Sequence, residues 1–95
     1  MVVTVALKKI GGPVSELTTQ DLNTVTQTGA YLQASNNDAG NGANYPRAAA
    51  GLLEVYTGKN FTFQRHTAYK NFGIYTRSYY GFAGEWEPWR KLLTE

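Results

Sequence analysis

The chain contains no cysteine. Disulfide staples, a thiolate nucleophile and every cysteine-based zinc site are thereby excluded. Histidine is almost as scarce, with His66 alone in the chain. Two-histidine metal motifs fall away, and one candidate general base near neutral pH remains. Long apolar runs are missing, since nothing approaches the ~20 residues of a membrane helix. The opening segment, Met1 to Ile10, ends in Lys8-Lys9, the wrong charge order for a signal peptide. Charge of one sign is not in excess either. Nine Lys and Arg face seven Asp and Glu, for a formal net charge of +2, and they are scattered. Nucleic-acid binding calls for clustered basic residues. The expectation is a chain with no metal or cofactor, no nucleic-acid partner and no membrane insertion.

Aromatic residues are missing from the first thirty positions and abundant afterwards. Two Trp, seven Tyr and four Phe make 14% of the 95 residues. All lie between Tyr31 and Trp89. A chain of this length holds one core. At about 1.5 kcal/mol of ordering entropy per residue, so small a body has little margin alone, and oligomerisation is a common remedy.

Residues 2–10 (VVTVALKKI) are β-branched and read as an extended strand or arm, broken by Gly11-Gly12-Pro13. Residues 1–19 are read as an arm or linker that packs against something else, and residues 20–95 as a β domain. Around Ser15 to Asn23 a short helix or helical turn is expected, with Thr18 and Asp21 at the spacing of a weakened capping box. Leu17, Leu22 and Val25 are its apolar face. Gly29 to Gln33 reads as a strand, and Ser35 to Asn44 as a surface loop rich in Asn and Gly. Ala48 to Tyr56 reads as a buried strand with Leu53 and Val55 on one face, followed by a turn at Thr57 to Asn60.

Two strands follow, Phe61 to Tyr69 and Ile74 to Tyr80. An antiparallel hairpin puts Phe61, Phe63, Arg65, Thr67, Ile74, Thr76, Ser78 and Tyr80 on one face. Thr62, Gln64, His66, Tyr75, Arg77 and Tyr79 share the other. The Phe and Ile residues mark the first as core, leaving the second as a polar-aromatic surface. The last strand runs from Glu85 to Leu93, with Pro88 pointing to an edge or a bulge. Strands at short spacing predict a mainly β fold, a small antiparallel sandwich or open barrel with a short N-terminal helix or helical turn.

Catalytic motifs are absent. There is no Gly-x-Ser-x-Gly, and Gly58-Lys59 lacks the rest of a phosphate loop. Glu85 and Glu87 are spaced to share one strand face, as a glycosidase pair would, or to lie on a solvated edge beside Arg90 and Lys91. Asn36, Asn37, Asp38 and Asn41 carry oxygens, but not in the order of a calcium loop. The cluster of His66, Tyr75, Arg77 and Tyr79 reads either as cross-strand packing or as a binding surface. Tyr supplies a flat ring with a hydroxyl at its edge and Arg a fork of donors, which together suit a sugar.

Gly51-Leu52-Leu53-Glu54-Val55, Gln64-Arg65 with Tyr69, Ile74-Tyr75-Thr76-Arg77-Ser78 and Trp86-Glu87-Pro88-Trp89 follow one another in order. Asp21-Leu22-Asn23, Thr28-Gly29-Ala30-Tyr31 and Asn44-Tyr45-Pro46 precede them. This series, over residues 20–93, resembles the pyocin-knob-type domains of bacteriophage tail fibres and tailspikes and of R-type pyocin fibres. The resemblance implies a small β module on a homotrimeric fibre of the virion, beside other fibre domains, that contributes to recognising a bacterial surface glycan such as capsule or lipopolysaccharide. It carries no catalytic residues over, and it makes Gly51, Trp86 and Trp89 fold determinants. Tyr75, Arg77 and Tyr79 are the candidate glycan contacts, with His66, Asn37 and Asn41 as further candidates. The alternatives are a polysaccharide-degrading enzyme or its accessory domain, and a carbohydrate-binding module of cellular origin.

Overall fold

A computed structural model describes residues 14–92. The expected arm over residues 2–10 and its Gly11-Gly12-Pro13 break lie outside them. The described residues form a single seven-stranded sheet, with β1 to β6 side by side in sequence order and β7 beside β5. β1 (Ser15–Leu17) runs parallel to β2 (Gly29–Gln33), and every other pairing is antiparallel. The mainly β, open antiparallel class expected from the sequence is borne out. Its second layer is made of loops and helical turns rather than another sheet.

The long hairpin of β3 (Gly51–Gly58) and β4 (Phe61–Ala68) organises the rest. Its turn is Lys59-Asn60, both at positive φ (26° and 73°), the backbone that a two-residue hairpin needs to follow strand twist. β5 (Ile74–Tyr80) returns against β4 and pairs Phe61 with Tyr80 and Thr67 with Ile74. β6 (Glu85–Trp86) and β7 (Arg90–Lys91) both pair with β5, but in registers one residue apart. The extra residue falls at Pro88, which cannot donate to a ladder. The interruption expected at this proline is borne out, and it divides the expected last strand in two.

The core lies on one face of the sheet. Leu17, Leu22, Val25, Leu53 and Val55 form its apolar cluster, with Tyr31, Tyr45 and Trp89 packed against it. Full burial of a side chain such as Leu53 stabilises by roughly 1.5–3 kcal/mol. The segment between β1 and β2 crosses over this face, bearing Leu22 and Val25. That crossing is what permits the parallel β1–β2 pairing. Residues Ser15 to Leu17, expected as the start of a helical turn, are strand. The helical turn is a 3-10 turn at Leu22–Thr24, capped by Asp21, whose Oδ1 accepts from Asn23 N–H at 2.8 Å. Thr18 instead donates its N–H to Gln20 Oε1 at 2.6 Å. The loop expected over Ser35 to Asn44 contains a helix, α1 (Asn36–Asn41). Ser35 Oγ caps it by accepting from Asp38 N–H at 3.1 Å, and Ala39 is buried. Cap and burial together override the weak helix propensity of Asn and Gly.

One expectation is reversed. The hairpin pairing of β4 and β5 has the expected parity, but the faces are exchanged. Thr62, Gln64, His66 and Arg77 are buried, whereas Phe61 and Phe63 are exposed. The cause is the β3–β4 register. Leu53 sits opposite His66 and Val55 opposite Gln64, so the core residues of β3 carry the polar side chains of β4 inward with them.

Candidate functional site

The inward residues of β4 and β5 build a layered polar-aromatic cluster against the covering loops. Arg77 is its centre and is 8% exposed. Its Nε donates to Gln64 Oε1 at 2.8 Å, across the strand pair. Gln64 Nε2 donates to the carbonyls of Leu22 (2.8 Å) and Val25 (2.9 Å) and so fastens the crossing segment to the sheet. The guanidinium lies 4.0 Å from the Trp86 ring centre and 4.6 Å from that of Trp89. An Arg held between two indoles is favourable by cation–π attraction. Burial lowers the Arg77 pKa to about 10, offset in part by nearby Asp21, so the group stays charged at neutral pH.

The one-residue slip at Pro88 explains the clamp. On a regular strand, residues three apart point to opposite faces. Trp86 pairs with Tyr79 in one register, and after the slip Trp89 falls opposite Arg77. Both indoles therefore reach the inner face. Trp89 Nε1 donates to the Asn44 carbonyl at 2.8 Å, and Asn44 Nδ2 donates to Asp21 Oδ1 at 2.7 Å. Those bonds, from Asn44 first and then from Asn23 N–H, hold the Asp21 carboxyl below its usual range, with Arg77 adding to the effect.

His66 is wholly buried, edge-on to Tyr45 (6.0 Å) and Trp89 (6.5 Å), and neither ring nitrogen has a hydrogen-bond partner among the described residues. Burial pushes its pKa down to about 4. Gly51 backs this ring. A Cβ there would meet the Thr67 carbonyl oxygen and lie 2.9 Å from His66 Cε1.

A cleft of about 700 Å³ opens beside Arg77, lined by Asn23, Asn44, Tyr79, Trp86 and Glu87 among others. Two of its residues carry polar atoms that are buried behind the cleft wall without a partner among the described residues, Asn23 Oδ1 and Arg77 Nη2.

Of the residues singled out in the sequence, Arg77 and Tyr79 meet at this cleft. Tyr75 is half-buried and donates its hydroxyl to the Phe72 carbonyl at 3.1 Å. His66 belongs to the core rather than to a surface, a correction that follows from the exchanged faces. Asn37 and Asn41 are exposed on α1, apart from the cleft lining. Sequence reasoning missed Gln64 and Asn23, and reached Asn44 only as the end of the Asn36 to Asn44 loop, a secondary candidate. Gln64 was signalled by its place two residues from His66 on one strand face, whereas Asn23 and Asn44 lie in irregular segments where no period applies.

No family model matches this chain, and no curated protein matches it. Solved structures do. A C-terminal fragment of the P. aeruginosa R1 pyocin fibre is 30% identical, with a TM-score of 0.76 over 90% of this chain and 24% of that one. The chain has the fold of a pyocin fibre module. An N-truncated R2-type pyocin tail fibre is 30% identical, with a TM-score of 0.73 over 87% of this chain and 35% of that one. A C-terminal fragment of the P. aeruginosa R2 pyocin fibre is 31% identical, with a TM-score of 0.73 over 88% and 24%. The resemblance to pyocin-knob-type domains is thus borne out. The chain spans about a quarter to a third of the fibre chains it matches.

Proposed function

We propose that this chain is a non-enzymatic knob module of a phage or pyocin-type tail fibre, carried as a homotrimer beside other fibre domains, and that it helps recognise a bacterial surface polysaccharide. Likeness to pyocin fibres over 87–90% of the chain, at 30–31% identity, carries the reading. The cleft supplies a place for contact. Trp86 and Tyr79 offer rings for the C–H face of a sugar, and Asn23, Asn44 and Glu87 line the cleft with polar side chains for its hydroxyls. A single such contact is weak, and three copies on one fibre raise it through effective concentration.

Binding of the 95-residue chain to an array of lipopolysaccharide and capsule fragments tests the recognition half. At least one glycan is expected to bind, and Asn23→Ala and Trp86→Ala are expected to weaken it about tenfold, roughly 1.4 kcal/mol. Circular dichroism must show both variants folded. An oligomeric chain that binds no fragment would overturn glycan recognition and leave the fibre-module half standing.

A further inference from the structure

Among the described residues the inner face of the sheet is covered, and the outer face is not. Its strands present Tyr56, Phe61, Phe63 and Tyr80, with Phe82 on the turn that follows, all exposed. Tyr56 stands opposite Phe63, and Phe61 opposite Tyr80. Phe61 is stacked between Phe63 (5.8 Å, 12° between planes) and Tyr80 (4.8 Å, 22°), and Phe82 meets Tyr80 edge-on at 5.6 Å. The rings thus form one contiguous patch.

The fractional exposures run from 42% for Tyr80 to 77% for Phe82. At about 200 Å² per aromatic side chain, they leave roughly 500 Å² of aromatic surface in water. Patches of about 300–600 Å² are the largest on ordinary monomers and are often functional. A specific interface takes about 800 Å² from each partner, so this patch alone supplies more than half of one side.

The chemistry of the face favours a protein occupant of the same kind. Glu54 and Arg65 lie across from each other at 3.9 Å and neutralise each other beside the rings. A face without net charge at its centre meets its own copy without like-charge repulsion. The rings also stack on one another, so Phe61 has neighbours on both sides and turns an edge outward. A sugar needs an open ring face, whereas side chains from another copy interdigitate between edges.

We propose that this outer face is where copies of the chain pack together, with Phe61 and Phe63 at the centre of the contact. The inference rests on the trimer within the proposed function and adds the surface that builds it. Three copies would turn this face toward a common axis, closing the contact without an open end.

The test is light scattering on the 95-residue chain and on Phe61→Ser/Phe63→Ser. Trp86 and Trp89 fluorescence monitors the opposite face. A trimeric parent and a monomeric double variant with unchanged fluorescence is the expected result. A monomeric parent would overturn both this inference and the trimer on which it rests. A trimeric parent with a trimeric variant would overturn the surface alone. Should the double variant fail to fold, Phe82→Asp on the exposed turn decides. It is expected to raise at least tenfold the concentration at which half the chains are assembled, and no rise would overturn the inference.

Discussion

His66 combines complete burial with two unpartnered nitrogens. A neutral imidazole tolerates that setting poorly and an imidazolium far worse. Unfolded, the group titrates near 6.5, and folded near 4. Between those values the unfolded chain binds a proton that the folded chain refuses. Stability therefore falls as pH drops from about 6.5 to about 4, and this group changes it no further below that. A shift of this size corresponds to about 3 kcal/mol. Asp21, with its pKa held low, acts in the same direction as its own carboxylate range is crossed. Urea unfolding at pH 7 and near pH 4.5 measures the loss. His66→Leu, which gives up no hydrogen bond, is expected to remove most of it, and an equal acid loss in parent and variant would contradict this origin. Gly51 is the companion case. Its substitution by Ala drives a Cβ into the Thr67 carbonyl and toward the His66 ring. The neighbour is backbone and cannot turn away, so a loss of about 3 kcal/mol in the same unfolding measurement is expected.

Among the elements, the strands were legible and their facing was not. Leu53 and Val55 announce the core side of β3 by alternation, and Lys59-Asn60 announces a tight turn. Together these two signals place Gln64 and His66 beside the core, because a two-residue turn pairs Val55 with Gln64 and Leu53 with His66. Phe61 and Phe63 outweighed them as marks of the buried side. Hydrophobicity marks surface to be covered, and a second molecule covers it as well as the chain itself does. The Trp pair was legible in kind, since Pro88 signals a break, but the consequence of the slip depends on pairing with β5. Deleting Pro88 would restore one register and turn Trp89 away from Arg77. It is expected to cost about 3 kcal/mol and to red-shift the tryptophan emission. Pro88→Ala keeps the residue count, and its change is expected to stay within about 1 kcal/mol. Equal effects of deletion and substitution would refute the bulge as the cause. In α1 the Ser35 cap was hidden by the Asn-rich run behind it, and Ser35→Ala is expected to lower stability by about 1 kcal/mol on thermal unfolding.

At the scale of the molecule, the described residues form a single sheet covered on one side, which is a thin source of stability. Its apolar cluster holds five buried side chains among the described residues, and the largest aromatic patch faces the other way. The order of short motifs made the fibre fold legible, because they carry Gly51 behind His66, Trp86 and Trp89 against Arg77, and the strand residues Gln64 and Arg77 that meet across the sheet. Assembly was legible only as a need, since composition says that surface must be covered and not by what. If copies cover the outer face, folding and association are linked, and the unfolding midpoint depends on chain concentration. Scanning calorimetry over a hundredfold dilution is expected to show the parent midpoint falling with each step. In Phe61→Ser/Phe63→Ser the dependence is expected to vanish, and the midpoint to settle at or below that of the most dilute parent, since the variant lacks the contact at every concentration. A parent midpoint independent of concentration over a range where light scattering shows dissociation would mean that the sheet is stable on one face alone. The aromatic patch would then serve attachment without contributing to the fold.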